Sequence, residues 1–352
     1  MKYRKLGNSG LSVSNLTLGT MGFGKETPEA EAFAIIDAFL EAGGNMLDTA
    51  DVYGGGASEE LLGRWRTSRS GSAADKVVLA TKARFGTGPD ANDVGTSRRH
   101  LHRALDTSLR RLGVEAIDLY QMHGWDPLTP IEETLTFLDA AVRAGKIHYV
   151  GLSNFTGWQL QLALSTARAM GLQVPVTLQQ QYSLAYREIE YEVVPAALHN
   201  GIGLLPWSPL AAGFLSGKFE RGMGPSPNAR LGSDNPMNQH IGADLFGAER
   251  NWNTIDAVRT IASEIGATPA QVSLSWVANR PVVSSTIIGA RTTAQLTDNL
   301  GAADLELDAA ATATLDAVSA PTPDDYPYGP FGALQRERYI DSSDQALKEL
   351  SA

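Results

Sequence analysis

The chain has 352 residues, is 43% hydrophobic and 19% charged, and carries a formal net charge of −10. It contains no cysteine, which excludes disulfides, thiolate nucleophiles and Cys-ligated zinc. The acidic balance argues against broad binding to nucleic acid or an anionic membrane surface, the first residues lack the apolar core of a signal peptide and no apolar run is long enough to span a bilayer, so a cytoplasmic protein is expected.

Residues 1–14 read as a β-hairpin turning at Asn8–Gly10, a shape suited to plugging the bottom of a barrel. Short apolar segments then alternate with amphipathic ones. They pair as 16–21 with 29–43, 45–50 with 58–68, 76–83 with 97–113, 116–123 with 131–145, and 147–154 with 157–171. The series continues as 174–181 with 189–201, 202–207 with 253–266 and 270–280, and 283–290 with 293–302. These eight strand–helix pairs imply a parallel α/β sheet closed as a (β/α)8 TIM barrel. Gly43, Gly113, Gly145, Gly171, Gly201 and Gly266 follow helical segments and predict left-handed C-terminal caps. The basic cluster Arg98, Arg99, His100, His102, Arg103, Arg110 and Arg111 is threaded by Leu101, Leu105, Leu109 and Leu112 at helical spacing, and so reads as the solvated face of a helix. Two stretches break the rhythm: 214–250, read as a long loop after the seventh strand, and 320–345, a tail. With no linker in view, 1–352 is expected to form a single domain, its barrel over about 15–302 and a C-terminal helix and tail over about 303–352.

Asp48, Lys82, His123, Asn154, Gln179 and Trp207 each fall at the C-terminal end of a different predicted strand, the end that carries active sites in such barrels. Tyr53 follows on the loop after the second strand. A phenol titrates at about 10, and a neighbouring ammonium favours its ionised form. Lys82 is placed to supply that charge, Asp48 to hold Lys82 charged and oriented, and His123 to hydrogen-bond a substrate oxygen. Tyr53 is then the proton donor, and the base in the reverse direction. Taken singly, each residue has an ordinary structural explanation, such as an ion pair, a loop anchor or a core histidine; the joint pattern is what points to chemistry.

The motifs NMLDTADVYG (45–54), ATKA (80–83), LYQMHGWD (119–126), GLSNF (151–155), PWSPLAAGFLSGK (206–218) and IIGARTTAQLTDN (287–299) make the chain resemble the aldo-keto reductases over about residues 3–302. The branch suggested is the one containing aryl-alcohol dehydrogenase-like enzymes and potassium-channel β subunits. The resemblance implies reversible NADPH-dependent reduction of aldehydes and ketones without a metal, with Asp48, Tyr53, Lys82 and His123 as the catalytic four. It implies that Ser153, Asn154 and Gln179 bind the nicotinamide carboxamide and that Trp207 stacks on its ring. Gly19, Thr20 and Met21 would line that end, with Asp48 beside them. Ser208, Leu210, Gly213 and Lys218 would cover the pyrophosphate, and Gly289, Arg291, Gln295 and Asn299 would surround the adenosine phosphate. Asp298 nearby points instead toward a free ribose hydroxyl, leaving NADH as the alternative. Tyr53, His123 and Trp125 would contact a small carbonyl substrate, with Phe23, residues of 214–250, Tyr326, Tyr328 and Phe331 as further candidate walls.

Two other readings compete. One is a regulatory NADPH-binding subunit like the potassium-channel β subunits, in which the resemblance places asparagine where His123 stands here. The other is a metal-dependent hydrolase, which needs clustered ligands at strand ends. His100, His102, His148, His199 and His240 fall in helices, at a strand start or in the long loop, which disfavours it. The sequence leaves protein partners and the identity of the substrate open.

Overall fold

The computed structural model describes residues 1–69, 71, 73–224, 230–232, 236–323 and 326–336. The chain forms two compact units, Met1–Ser319 and Ala320–Ala352. The first opens with strands β1 (Tyr3–Lys5) and β2 (Ser12–Ser14), an antiparallel hairpin. Eight further strands follow: β3 (Leu16–Gly19), β4 (Met46–Asp48), β5 (Val78–Ala83), β6 (Ile117–Met122), β7 (Ile147–Ser153), β8 (Thr177–Gln181), β9 (Gly203–Trp207) and β10 (Thr286–Ile288). They are all parallel and ordered β10-β3-β4-β5-β6-β7-β8-β9. The ring is joined between β9 and the approach to β10 by two backbone bonds at Leu204, whose N–H donates to Val282 (2.9 Å) and whose carbonyl accepts from Ser284 (3.0 Å). This is the (β/α)8 barrel that the alternating pattern implies.

The helices α1 (Glu29–Glu41), α2 (Ala57–Ser68), α3 (Arg98–Leu112), α4 (Ile131–Arg143), α5 (Gly157–Ala169) and α6 (Val193–Asn200) follow β3 to β8 in turn. After β9 come α7 (Pro236–Gly247), α8 (Glu249–Ile265) and α9 (Pro269–Ala278), and after β10 come α10 (Thr293–Leu300) and α11 (Ala309–Val318). Ser97, Thr268, Thr292 and Asp308 cap helix N-termini with their side-chain oxygens. All six glycines expected at helix ends have positive φ, between 65° and 88°. The second unit holds α12 (Pro330–Arg336), with Tyr326 and Phe331 6.5 Å apart between ring centroids.

Helix α7 corrects the reading of 214–250 as a loop. Its sequence is poor in helix formers and weakly periodic, and it is held by tertiary packing: Phe246 meets Phe214, Phe219 and Trp252 at 5.2–5.7 Å. Residues 225–229 and 233–235 of that stretch, and 324–325 and 337–345 of the tail, lie outside the described residues.

The hairpin plugs the barrel bottom. Leu6 and Val13 pack with the inward-facing Met46, Val78, Ala80, Leu119, Leu205 and Ile287. Arg4 donates to the carbonyls of Ala278 and Val283, and Gly7 N–H donates to Ser284 Oγ at 3.1 Å, so the hairpin also ties the join between β9 and β10 from below. Outside the barrel the strands bury Leu47, Leu79, Tyr120, Met122 and Leu152 against the helices. The α2–α3 contact depends on Gly63, where a Cβ would stand 2.0 Å from the Arg111 carbonyl oxygen. Gly63→Ala is therefore expected to lower stability by about 1–3 kcal/mol through overpacking, read as a lower urea midpoint at unchanged m-value.

Candidate active site

Parallel strands alternate their side chains between the barrel interior and the helix layer, so a residue's parity decides which chemistry it can join. Asp48, Lys82 and Gln121 point inward at the C-terminal end, with His123 one residue beyond β6. In register, Lys82 lies opposite Gln121 and Gln121 opposite Gly151. Lys82 is completely buried. Its Nζ donates to Asp48 Oδ2 and to the Thr49 carbonyl, both at 2.6 Å, and reaches Tyr53 Oη at 3.4 Å. The other Asp48 oxygen accepts from Gln179 Nε2 (2.8 Å) and Gln121 Nε2 (3.3 Å). Gly151 makes room for this: a Cβ there would stand 2.5 Å from Thr177 Oγ1 and 2.8 Å from Gln121 Cγ. Gln121 lies inside the 119–126 motif, and its inward parity with 119 and 123 is the sequence signal for this role.

Burial opposes the charge on Lys82, but the Asp48 carboxylate and the Tyr53 oxygen more than offset it, and the ammonium is held above its ordinary range. The phenol departs from the sequence expectation. Burial raises the Tyr53 pKa more than Lys82 lowers it, with Asp48 adding to the rise, so the net shift is upward. Tyr53 therefore keeps its proton at neutral pH, beside a cation that stabilises the phenolate once the proton has left. The rings of His123 and Tyr53 meet edge-on at 5.7 Å, and Phe85 packs edge-on to His123 at 4.6 Å. Burial first, then Lys82 and Arg84, drive the His123 pKa down to about 2, leaving a neutral imidazole.

Arg84, which follows β5, has φ of 148°, a region that costs a non-glycine residue about 1–3 kcal/mol. Its Nη2 donates to the Trp125 carbonyl at 3.1 Å, tying the loops beyond β5 and β6. Trp125 stands edge-on to Phe155 (5.4 Å) and Trp158 (5.5 Å). Phe23, by contrast, is buried in the core. Sequence reasoning gave no role to Arg84, Phe85 or Trp158.

The remaining site residues fall into four groups. Thr20 N–H and Oγ1 donate to the Asp48 carbonyl (2.9 and 3.0 Å), beside Gly19 at the end of β3 and the exposed Met21. Asn154, at φ 56°, donates to the His123 carbonyl (2.9 Å) and accepts from Trp207 Nε1 (3.2 Å), linking the ends of β6, β7 and β9. Ser153 Oγ is buried with no hydrogen-bond partner. Such an orphan hydroxyl, in register with Gln179 and next to Asn154, fits a planar carboxamide bearing both donor and acceptor.

Beyond β9 the backbone turns left-handed at Ser208, Ala211, Ala212 and Gly213, close to Leu210. A Cβ on Gly213 would stand 2.8 Å from Lys218 Nζ, so these two residues are brought together. At α10, Gly289 accepts from Asn299 Nδ2 (3.2 Å), and Arg291 N–H donates to Gln295 Oε1 (2.9 Å). Arg291 is exposed beside the helix N-terminus, an anion-attracting position. Glu31 of α1 already accepts from the Thr293 N–H at 2.7 Å. Asp298 accepts from Thr268 Oγ1 (3.0 Å) and Gln271 Nε2 (3.1 Å), which commits it to the start of α9.

Among the described residues no group of three or more His, Asp or Glu is placed to hold a metal, and no helix is long and apolar enough to cross a membrane. Removing one partner of a fully buried ion pair strands the other. Lys82→Met is expected to lower stability by about 3–5 kcal/mol, measured by denaturant unfolding at neutral pH. Because the folded pKa of Lys82 lies above its ordinary value, the pair's contribution is intact at neutral pH and declines only as pH rises beyond the ordinary lysine range.

The sequence profile of the Aldo/keto reductase family matches residues 15–320. Uncharacterized oxidoreductase YrpG of Bacillus subtilis (strain 168) is 40% identical over 320 residues, covering 88% of this chain and 93% of its own. A probable voltage-gated potassium channel subunit beta of Arabidopsis thaliana is 35% identical over 313 residues, covering 87% and 92%. Protein tas of Escherichia coli (strain K12) is 33% identical over 349 residues, covering 90% and 97%. The barrel, the acid–amine–phenol–imidazole cluster at its mouth and these matches agree: the chain belongs to the aldo/keto reductase family and is an oxidoreductase of that family.

Proposed function

We propose that this protein reduces aldehydes and ketones to alcohols, reversibly, using NADPH. The observation that carries the reading is the buried Lys82 ammonium, bonded to Asp48 at 2.6 Å and reaching the Tyr53 oxygen at 3.4 Å with the neutral His123 alongside. When bound, the nicotinamide supplies hydride to the carbonyl carbon. Tyr53 gives its proton to the carbonyl oxygen, and Lys82 stabilises the phenolate left behind. Asp48 keeps Lys82 charged and aimed. His123, uncharged, offers one ring N–H to the substrate oxygen and fixes its approach. In the reverse direction the Tyr53 phenolate takes the proton back. Trp125 and Phe85 supply apolar wall beside His123, which suits carbonyl compounds carrying an apolar group.

Ser153, Asn154 and Gln179 would hold the carboxamide, with Trp207 against the ring and Gly19, Thr20 and Met21 beside it. Ser208, Leu210, Gly213 and Lys218 would face the pyrophosphate. Gly289, Arg291, Gln295 and Asn299 would surround the adenosine end, where the exposed guanidinium favours a 2′-phosphate. The commitment of Asp298 to Thr268 and Gln271 supports that choice, because this carboxylate is turned to α9; the Glu31 carboxylate at the Thr293 amide works the other way. A second reading, a nucleotide-binding regulatory subunit with little turnover, takes its support from the plant potassium-channel β-subunit relatives. The presence of His123 beside Tyr53 favours turnover.

With 4-nitrobenzaldehyde as probe, NADPH oxidation is expected, and Tyr53→Phe is expected to lower kcat by about 10²–10⁴-fold with coenzyme affinity retained. Tight NADPH binding without wild-type turnover would instead favour the regulatory reading. Arg291→Ala is expected to weaken NADPH by about tenfold while leaving NADH nearly unchanged, measured by fluorescence titration; equal loss for both would remove Arg291 from the phosphate site.

A further inference from the structure

Asp51 stands three residues after Asp48 and two before Tyr53, yet none of the steps above uses it. It is 2% exposed, and both carboxyl oxygens are buried without a hydrogen-bond partner. Its backbone is fixed: the N–H donates to the Lys82 carbonyl (3.0 Å) and the carbonyl accepts from Arg111 Nη1 (3.0 Å).

The charges around it can be counted element by element. Lys82 on β5 is committed to Asp48. Arg111 on α3 pairs with Glu59 at 3.2 Å, donates to Gly55 and stands 4.0 Å from Glu60. Glu59 on α2 is fully buried, and its second oxygen accepts from Thr81 Oγ1 at 2.7 Å. Tyr120 on β6 is fully buried with its hydroxyl unpartnered. Each nearby cation is thus bonded to another acid, and Asp51 is left without a counter-ion or a side-chain donor, the adjacent Val52 amide being the sole, weaker donor toward it among the described residues. A buried carboxylate in that position loses its hydration with little in return, so the neutral acid is the favoured form.

We propose that Asp51 is a positioning residue that keeps its proton at neutral pH behind Lys82 and Tyr53, and that loss of this proton in mild alkali weakens Tyr53 as a proton donor. The proton leaves to solvent, and the carboxylate that remains acts through charge alone. It competes with the phenolate for the field of Lys82 and raises the cost of ionising Tyr53. Burial, then Glu59, raise the Asp51 pKa to about 8, against the opposing pull of Arg111 and Lys82, and a charged Asp51 in turn raises that of Tyr53. The effect on catalysis rests on Tyr53 being the donor; the protonation of Asp51 does not.

The test compares the full-length wild type with Asp51→Asn, whose amide mimics the neutral acid. With NADPH and 4-nitrobenzaldehyde, wild-type kcat is expected to fall about threefold to tenfold as pH rises through about 8, at nearly constant KM. The variant is expected to lack that fall. In the infrared difference spectrum at neutral pH, wild type minus variant is expected to show the band of a protonated carboxylic acid. On the stability side, the native state holds a proton that the unfolded chain releases between its ordinary pKa of 3.8 and about 8. Wild-type stability therefore declines relative to the variant as pH rises over that interval. Superimposable kcat profiles, or absence of the acid band, would overturn the proposal. Failure of the wild type to turn over any carbonyl probe would instead remove the reduction reading, while the band and the stability difference still decide whether Asp51 holds its proton.

Discussion

A lysine ammonium with no solvent contact is the constraint around which the mouth of this barrel is organised. Such a charge persists only where its lost hydration is replaced. Here the replacement comes from the Asp48 carboxylate and the Thr49 carbonyl, each at 2.6 Å from Lys82. Asp48 must in turn be held, and Gln121 and Gln179 do so from strands β6 and β8. Gln121 reaches across only because position 151 carries no side chain. The electrostatic setting of Tyr53 thus depends on packing several strands away, and a methyl group in β7 would be felt at the phenol.

The same strand serves two separate polar systems. Lys82 faces into the barrel, whereas its neighbour Thr81 faces the helices and bonds Glu59 at 2.7 Å. The inner system balances one carboxylate against one ammonium. The outer one places Glu59, Asp51 and Tyr120 against the guanidinium of Arg111. One residue of alternation along β5 therefore divides a compensated site from one short of positive charge, with the thin wall of the barrel between them.

Much of this arrangement was legible in the sequence because it depends on local rules. Alternation of apolar and amphipathic segments gave the barrel, glycines at 43, 113, 145, 171, 201 and 266 gave the helix ends, and strand-end position brought Asp48, Lys82, His123, Asn154, Gln179 and Trp207 to one rim. What escaped depends on partners distant in sequence. Helix α7 is held by aromatic contacts to Phe214 and Trp252 rather than by its own periodicity. The Tyr53 shift was misjudged because a lysine can be read from a motif whereas burial cannot. The isolation of Asp51 follows from how Arg111 divides its bonds, and nothing near residue 51 in the sequence announces it.

The join at Leu204 carries a mechanical consequence. Here β9 meets the approach to β10 through two amide contacts, braced below by Arg4 and Gly7 of the hairpin. Trp207 stands at one lip of this narrow seam and Gly289 just beyond the other. A molecule long enough to touch both lips would act as a stitch across this short seam, adding to the two amide contacts that span it.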